Sequence, residues 1–294
     1  ALIPVLGKET TTASVMTYGY NPLISKWSPY HGAMYAIVES VAKIVAMGGN
    51  YHTIRFSFQE YFEKLLDNPI TWGKPTAALL GAYRVQSALK LASIGGKDSM
   101  SGSFEDLHVP PTLVSFAITS GDVNDIMTPE IKETGHVLAE IIINKDQYHI
   151  FDFNHLQKQY DAIMELMKDK KIYSAYTVKD GGVIEAVSKM AFGNGVGVAF
   201  NNENSLESYI VRDYGNIIIE VKSEKDLSIF DNYRIVGTTN DSELLSYGGE
   251  TISLDEAYAI NKAPLEKVYP TREKAPTSKI KVAACKTRAD LKPK

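Results

Sequence analysis

The chain has 294 residues, 44% of them hydrophobic and 22% charged, and carries a net charge of −4 at pH 7. This length and composition are typical of a globular protein with about two domains. The weakly negative charge excludes a broad basic surface for nucleic acid. The single cysteine, Cys285, excludes a disulfide framework within the chain and a zinc site built from several cysteines.

No segment stays apolar for the ~18 residues that a membrane-spanning helix needs, and the first residues, ALIPVLGKET, lack the basic start of a signal peptide. We therefore expect a cytoplasmic protein with no membrane partner and no nucleic-acid partner. The chain starts without methionine, and beyond Pro270 it becomes rich in proline and lysine. We expect both ends to lie within a longer polypeptide and the last residues to form a linker.

Residues 1–125 are predicted to form an α/β domain. Apolar side chains recur at helical spacing at Ile37, Val41, Ile44 and Val45, which indicates a helix with a buried face. In chain order we expect a helix over 33–48, a strand over 51–58, a helix over 76–93 with Pro75 in its first turn, a glycine-rich loop, and a buried strand over 111–121.

A polar segment without a sustained period, DVNDIMTPEIKETG, leads into a second mixed domain predicted over 126–252. There we expect strands over 136–143, 172–178, 196–200, 216–221 and 233–238, and helices over 155–170 and 183–192. The remaining region, 253–294, is expected to contain a helix over 253–269, broken near Pro264, and then the linker.

The segment IGGKDSMSGSF (94–104) is the strongest candidate for a binding site. Glycines let a phosphate approach the backbone N–H groups, Lys97 supplies positive charge, and the serines supply hydroxyl donors. Lys97 is followed by Asp98, and a predicted strand comes next, so the segment is not a P-loop. The same composition fits a glycine turn with solvated hydroxyl groups, and the residues alone leave both interpretations open.

Two further patterns have a structural and a functional interpretation. Glu39 and Lys43 lie four residues apart, which is typical of an exposed ion pair worth ~0.3–0.5 kcal/mol. The alternative is that both face a cleft, and spacing alone favours the exposed pair. KDGG (179–182) joins a strand to a helix, where Asp180 is expected to act as the N-cap; alternatively, the first N–H groups of the helix meet an anion.

The six histidines are scattered and form no HisxxxHis pair, so we predict no zinc site. Cys285 lies in KVAACK without the flanking glycines that expose a nucleophile on a strained turn. We interpret it as a structural or linker cysteine.

Several segments together resemble one enzyme family: SPYHGAMYAIVESVAKIVAMGG, IGGKDSMSGSF, VPPTLVSFAITSGDVNDIMTPEIKETG and VKDGGVIEAVSKMAFGNGVGV. They resemble phosphoribosylformylglycinamidine synthase over nearly all of residues 10–260. More closely, they resemble the second synthetase-like repeat of its large single-chain form. GGKDSMSG followed by VPPTLVSFA is the specific part, whereas DGG is shared across the aminoimidazole ribonucleotide synthetase superfamily.

The resemblance implies an ATP-dependent carbon–nitrogen ligase of purine synthesis. Its reaction converts formylglycinamide ribonucleotide to formylglycinamidine ribonucleotide with ATP and glutamine. The fold implied is an aminoimidazole ribonucleotide synthetase-like N-terminal α/β domain followed by a synthetase-like C-terminal α/β domain. The partners implied are the first synthetase-like repeat and the glutaminase domain of the same polypeptide, so that Cys285 is not the glutaminase cysteine. We expect the chain to be inactive alone and to pair as a homodimer.

The resemblance also implies site residues, although it assigns no catalytic residue. The set for ATP or substrate phosphate comprises Gly95, Gly96, Lys97, Asp98, Ser99, Asp180, Gly181 and Gly182. At an auxiliary nucleotide site, Glu39 matches a magnesium ligand, but Lys43 stands in place of an asparagine ligand, Thr177 in place of a metal-binding aspartate, and Lys179 in place of a serine.

Magnesium beside phosphates needs oxygen ligands, and an ammonium group adds charge where the metal would stand. We therefore expect Glu39, Lys43, Thr177 and Lys179 to form a remnant that no longer binds the metal nucleotide, with Lys43 paired to Glu39. The lost ligands favour an alternative function, a non-catalytic repeat that braces the catalytic repeat and the glutaminase domain. The intact glycine segment favours the ligase half. A separate kinase of the superfamily is a third interpretation, for which no diagnostic motif is present.

Overall fold

The computed structural model describes residues 2–4 and 10–272, which contain two large β-sheets and a two-stranded hairpin. The chain divides into two compact units, residues 1–254 and residues 255–294. Mixed α and β structure was expected, and this is confirmed. The predicted boundary between residues 125 and 126 falls between the two sheets, and the division into three domains stays a prediction.

The first part of the chain forms a five-stranded sheet in the order β1-β2-β7-β3-β4. All neighbours are antiparallel except β3 and β4, which are parallel. In chain order its elements are β1 (Leu2–Pro4), β2 (Thr12–Gly19), α1 (Pro22–Trp27), α2 (Pro29–Ala46), β3 (Arg55–Tyr61), α3 (Pro69–Leu89), β4 (Ala92–Lys97), the hairpin strands β5 (Ser103–Phe104) and β6 (Leu107–His108), and β7 (Thr112–Asp122).

The second part forms a seven-stranded sheet in the order β14-β13-β10-β12-β8-β11-β9, in which only β10 and β13 are parallel. Helices α4 and α5 pack against its edge strand β9. The elements are β8 (Val137–Ile141), α4 (Phe153–Lys168), β9 (Ile172–Thr177), α5 (Gly182–Asn194), β10 (Gly197–Phe200), α6 (Leu206–Ile210), β11 (Ile217–Val221), β12 (Tyr233–Asn240), β13 (Leu244–Tyr247), β14 (Glu250–Ser253) and α7 (Leu254–Glu266).

Helix α2 joins the two sheets, because it packs on β2 and β7 and also contacts β9 and α4. Ser28 caps its start by accepting a hydrogen bond from the His31 N–H. The predicted apolar face is buried, and so are side chains on the opposite face, such as Val38 and Ala42. A helix that is apolar on nearly all sides is a core helix. Any charge it carries there, as at Glu39, must find a partner.

Several predicted elements are wrong in their bounds. Helix α3 begins at Pro69 rather than 76, because Asn68 caps it and Pro69 takes the first position, so Pro75 lies within the helix. Residues 92–97, assigned to the end of that helix and to the glycine loop, instead form the edge strand β4 against β3. The strand expected over 51–58 runs over Arg55–Tyr61 after a 3₁₀ turn.

Helix α7 was expected to break near Pro264 but runs through it to Glu266. Pro264 lies in the last turn, where a missing N–H removes a single backbone hydrogen bond and little helix follows. The predicted linker lies mostly outside the described residues, as does Cys285. Within the described ranges no helix is both long and apolar enough to cross a membrane.

Candidate functional site

A cavity of about 550 Å³ opens beside the end of β2 and the end of β9. Helix α2 forms a third wall, and the segment 126–129 forms a fourth. The lining side chains are mostly apolar and include no Asp or Glu: Met16, Thr17, Tyr18, Lys43, Ala46, Met47, Ile126, Met127, Thr128, Pro129, Ala175, Tyr176, Thr177 and Lys179. We call this space the lysine cavity.

Helix α2 places Glu39 and Lys43 one turn apart beside this cavity. The Lys43 ammonium lies 2.7 Å from Glu39 Oε1 and donates to the Tyr18 carbonyl at 2.7 Å. The other Glu39 oxygen accepts from the Tyr20 N–H at 3.1 Å. Gly19 makes this approach possible, because a Cβ there would lie 2.1 Å from the Ala36 carbonyl oxygen. Both oxygens of a buried carboxylate are therefore satisfied within the chain.

The interpretation of Glu39 and Lys43 as a solvent-exposed pair is wrong. Their side chains are only 7% and 20% exposed. Burial lowers the pKa of Lys43, the Glu39 carboxylate opposes that shift, and the charge of Lys179 adds to it. The i,i+4 spacing correctly predicted an ion pair. It could not show that this face of α2 is covered by other elements of the chain.

Replacing Lys43 by methionine leaves the buried Glu39 carboxylate without its counter-charge. We expect Lys43→Met to lower the free energy of unfolding by about 3 kcal/mol, since breaking a buried pair strands a charge. The double variant Glu39→Gln/Lys43→Met should recover most of the loss. Urea unfolding measures both, with Lys222→Met on the exposed surface as control. Equal stability of Lys43→Met and the control would show that the pair is not structural.

Thr177 and Lys179 reach the lysine cavity from the end of β9. Thr177 is buried, and the Lys179 ammonium lies 5.7 Å from the centre of the Tyr176 ring. The structure therefore brings together the residues assigned to the auxiliary remnant: Lys43, Thr177 and Lys179 line one cavity, and Glu39 binds Lys43. Their origin in a nucleotide site stays a prediction.

The segment predicted to bind phosphate is part strand and part turn. Lys97 ends the edge strand β4, and its ammonium lies 4.0 Å from the centre of the Tyr61 ring. Ser99 continues alongside β3, donating its N–H to Glu60 O at 2.9 Å and accepting from Phe62 N–H at 2.8 Å. These bonds fix the turn that carries the lysine and the first serine hydroxyl.

The two glycines of this segment have different roles. A Cβ on Gly96 would lie 2.3 Å from the Phe58 carbonyl oxygen, so this position must be glycine for β4 to pair with β3. A Cβ on Gly95 would meet nothing within 4 Å. The strand pairing therefore does not require glycine at position 95, and a role of Gly95 at a phosphate stays a prediction.

Glu60 is a candidate site residue that the sequence did not reveal. Burial raises the pKa of its carboxyl group, and the charge of Asp98 raises it further. Glu60 lies on the buried face of β3 with Phe56 and Phe58, whereas the Lys97 ammonium lies over Tyr61, the next residue, on the other face. Among the described residues no cluster of three or more His, Cys, Asp or Glu side chains could hold a metal ion. The hydrogen bond from the Ser99 N–H to the Glu60 carbonyl places Glu60 beside the glycine-rich segment. No spacing in the sequence indicates this contact.

The prediction that Asp180 caps α5 is wrong. Gly181 is the N-cap, without a side-chain bond, and its N–H donates to Glu185 Oε2 at 2.9 Å. Asp180 turns away and accepts from Arg212 Nε and Asn21 Nδ2, each at 2.7 Å. The arginine holds the carboxylate more strongly than the helix start does, because both groups are charged.

The two predicted phosphate-binding groups are the turn after Lys97 and the KDGG segment, which Asp180 joins to Asn21. Both lie at the end of the five-stranded sheet where β2, β3 and β4 terminate. Strands β2, β3 and β4 run in the same direction, so the turn after Lys97 and the Asn21–Asp180 bond both follow carboxyl ends. The register aligns Gly19 with Ser115, Phe58 and Gly96. Three strand spacings, about 14 Å, therefore separate Gly19 from Gly96.

The fold is that of known synthetases and kinases. Thermotoga maritima PurL complexed with FGAR superposes with a TM-score of 0.70 at 11% identity, covering 97% of this chain and 50% of that one. Thiamine monophosphate kinase from Aquifex aeolicus gives 0.58 at 12% identity, covering 82% and 89%. The expected synthetase-like fold is thereby confirmed.

Sequence comparison finds relatives of this chain among PurL subunits. No protein-family model matches the chain. The PurL subunit of phosphoribosylformylglycinamidine synthase from Picrophilus torridus is 26% identical over 244 residues, 75% of this chain and 32% of the subunit. The chain is homologous to PurL subunits and spans about a third of the length of the curated relatives it matches. These relatives are PurL subunits, so they are not evidence for the predicted resemblance to the large single-chain form.

Proposed function

We propose that this chain is the C-terminal synthetase half of a phosphoribosylformylglycinamidine synthase of purine synthesis. The observation that supports it most is the Lys97–Ser99 turn, fixed at the carboxyl edge of the sheet in a chain homologous to PurL. T. maritima PurL has been solved with FGAR and with ATP. The experiment that tests the proposal is turnover of the full-length polypeptide with Lys97 replaced.

In the proposed reaction, ATP phosphorylates the formyl-amide oxygen of the substrate, and ammonia from glutamine displaces that phosphate. The Lys97 ammonium and the Ser99 hydroxyl bind phosphate oxygens of ATP or of the ribonucleotide. Fixed donors of this kind stabilise the charge that develops on the transferred phosphoryl group. Mg²⁺ would neutralise phosphate charge when bound, and Asp98, which follows Lys97, would be a carboxylate available to it.

The remaining parts of the proposal concern the rest of the polypeptide. The first synthetase-like repeat would complete the phosphate sites, and a glutaminase domain in the large single-chain form would supply ammonia. The isolated chain would then be inactive, because part of each phosphate site would belong to the first repeat. We place the whole protein in the cytoplasm.

A non-catalytic, bracing repeat is the second candidate function. The observation that favours it is the buried Lys43–Glu39 pair, which fills the expected auxiliary metal position with an ammonium group. This candidate and the ligase half differ in what they expect of Lys97, which a bracing repeat would not need.

Loss of the auxiliary metal nucleotide has a direct test in solution. Calorimetric titration of the chain with ADP should show no binding that depends on Mg²⁺, because the Glu39 oxygens are already bound to Lys43 and the Tyr20 N–H. A matched titration of Lys43→Asn/Thr177→Asp restores the expected oxygen ligands and should gain such binding. Mg²⁺-dependent ADP binding by the unaltered chain, with an ordered metal at Glu39, would contradict the proposed loss.

The proposed homodimer uses the outer face of the five-stranded sheet. Tyr18 and Phe116 are exposed neighbours on this face, with ring centres 6.4 Å apart, and Val114 and Ile118 extend it. Tyr18 lies at the border of this face, because its ring also contacts Lys43 beside the lysine cavity. The buried side chains of the same strands point to the helices instead. An apolar sheet face of this kind favours pairing with another copy.

Light scattering after size exclusion should therefore show a dimer of the isolated chain. Phe116→Asp should convert it to a monomer, since a buried carboxylate at the centre of the pair would be unpaired. Tyr148→Asp, outside this sheet, is the control. A monomer at high concentration for the unaltered chain would count against this interface.

A further inference from the structure

The lysine cavity has a wall chemistry that the proposed ligase reaction does not use. Its volume of about 550 Å³ falls in the range of sites that enclose a small organic molecule. Three thioether side chains, Met16, Met47 and Met127, contribute to the wall, and two tyrosine rings, Tyr18 and Tyr176, flank it. Methionine adapts to irregular apolar shapes and makes favourable contacts with aromatic groups.

Three polar groups of the wall are already engaged. The Thr17 hydroxyl donates to the Ser40 carbonyl at 2.7 Å, and the Thr128 hydroxyl donates to Glu130 at 2.6 Å. Lys43 is held by Glu39 and the Tyr18 carbonyl. These groups gain nothing from a neutral polar ligand.

Lys179 is different, because among the described residues no carboxylate lies within ion-pair distance of its ammonium. The first acidic residue along α5, Glu185, is bound by Lys189 and the Gly181 N–H. The charge of Lys179 helps to lower the pKa of Glu185 without forming an ion pair with it. The nearby aromatic ring of Tyr176 attracts the ammonium only weakly at 5.7 Å. An anion with an apolar body would fit a mostly apolar cavity that has the Lys179 ammonium in its wall.

We propose that the lysine cavity binds an organic monoanion with an apolar aromatic body, whose acid group contacts Lys179 and whose body lies among the three methionines. A divalent metal is not needed, since the wall offers it no carboxylate. A triphosphate does not match this wall, because one ammonium group without an ion-pair partner meets only part of its charge. The inference goes beyond the proposed ligase function and does not depend on it.

The probe for this proposal is 8-anilinonaphthalene-1-sulfonate, an aromatic monoanion that fluoresces in apolar surroundings. We expect saturable binding at one site per chain, unchanged by EDTA. Lys179→Gln should weaken it at least tenfold, Lys179→Arg should retain it, and Lys222→Gln on the exposed surface should leave it unchanged. Naphthalene-1-carboxylate should displace the probe, and neutral naphthalene-1-methanol should do so at least tenfold less well.

Equal affinity of Lys179→Gln and the unaltered chain would overturn the proposal, because the probe would then lie on another apolar surface. Equal displacement by the acid and the alcohol would remove the role of charge, and a requirement for Mg²⁺ would contradict the metal-free site. Thermal unfolding of each variant checks that the fold is intact, and Lys179→Arg separates lost charge from lost structure. The readout is independent of ligase turnover, so this proposal and the proposed function can fail separately.

Discussion

Replacing Lys97 by alanine in the full-length polypeptide should reduce turnover by about two to three orders of magnitude, as removal of one fixed donor to a developing anion does. The ammonium stands at the end of β4, over the Tyr61 ring, and the following turn is fixed by the Ser99–Glu60 and Phe62–Ser99 hydrogen bonds. Its position is thus set before any ligand binds. Loss of the charge removes an interaction with phosphate and leaves the strand pairing in place.

The controls for this variant separate the two candidate functions. Lys97→Arg keeps the charge and should retain part of the turnover, and Lys222→Ala on the exposed surface should retain all of it. Steady-state kinetics with saturating ATP shows whether kcat or KM changes. Full turnover by Lys97→Ala would reject the ligase role of this segment and support the bracing repeat.

Glu220→Ala should produce the largest loss of stability. The carboxylate is fully buried and accepts hydrogen bonds from the Lys132 and Glu133 N–H groups at 2.9 and 3.0 Å. It also lies 2.8 Å from His136 Nδ1 and accepts from the Ser174 hydroxyl at 2.7 Å. This one side chain therefore fastens the segment between the two sheets to the strands β9 and β11.

Alanine at this position leaves several buried donors without an acceptor, and we expect the free energy of unfolding to fall by about 4 kcal/mol. Glu220→Gln keeps one carbonyl acceptor and should lose less. Glu203→Ala, an exposed carboxylate, is the matched control, and urea unfolding followed by circular dichroism measures all three. A Glu220→Ala variant as stable as the control would show that water replaces these bonds.

Elements with a strong local pattern could be predicted from the sequence. The apolar period of α2 predicted a helix with a buried face, and the β-branched runs of β7 and β11 predicted two strands; the middles of all three agree with the structure. Strand β2 was not predicted, because TASVMTYG is rich in small polar residues and only Ala13 and Val15 mark its buried face. Pro75 was taken for a helix start because Asn68, the actual cap, lies seven residues earlier.

In the candidate site too, contacts between near neighbours in the sequence could be predicted, whereas contacts between distant residues could not. The i,i+4 spacing identified the Glu39–Lys43 pair but not its burial, which depends on the close approach of β2 at Gly19. Asp180 was expected to cap its own helix, yet its partners Arg212 and Asn21 come from distant parts of the chain. Glu60 carries no motif at all. Tertiary contacts decide each of these positions, and no short segment contains them.

The most direct measurement of the central claim is product formation by the purified full-length polypeptide that contains this chain. Incubated with formylglycinamide ribonucleotide, ATP, Mg²⁺ and glutamine, it should form formylglycinamidine ribonucleotide, detected by mass spectrometry, with one ADP released for each product. Omission of ATP should abolish the product. An unchanged ribonucleotide, together with ATP-dependent phosphorylation of thiamine monophosphate, would contradict the account and place the chain with the kinases that share its fold.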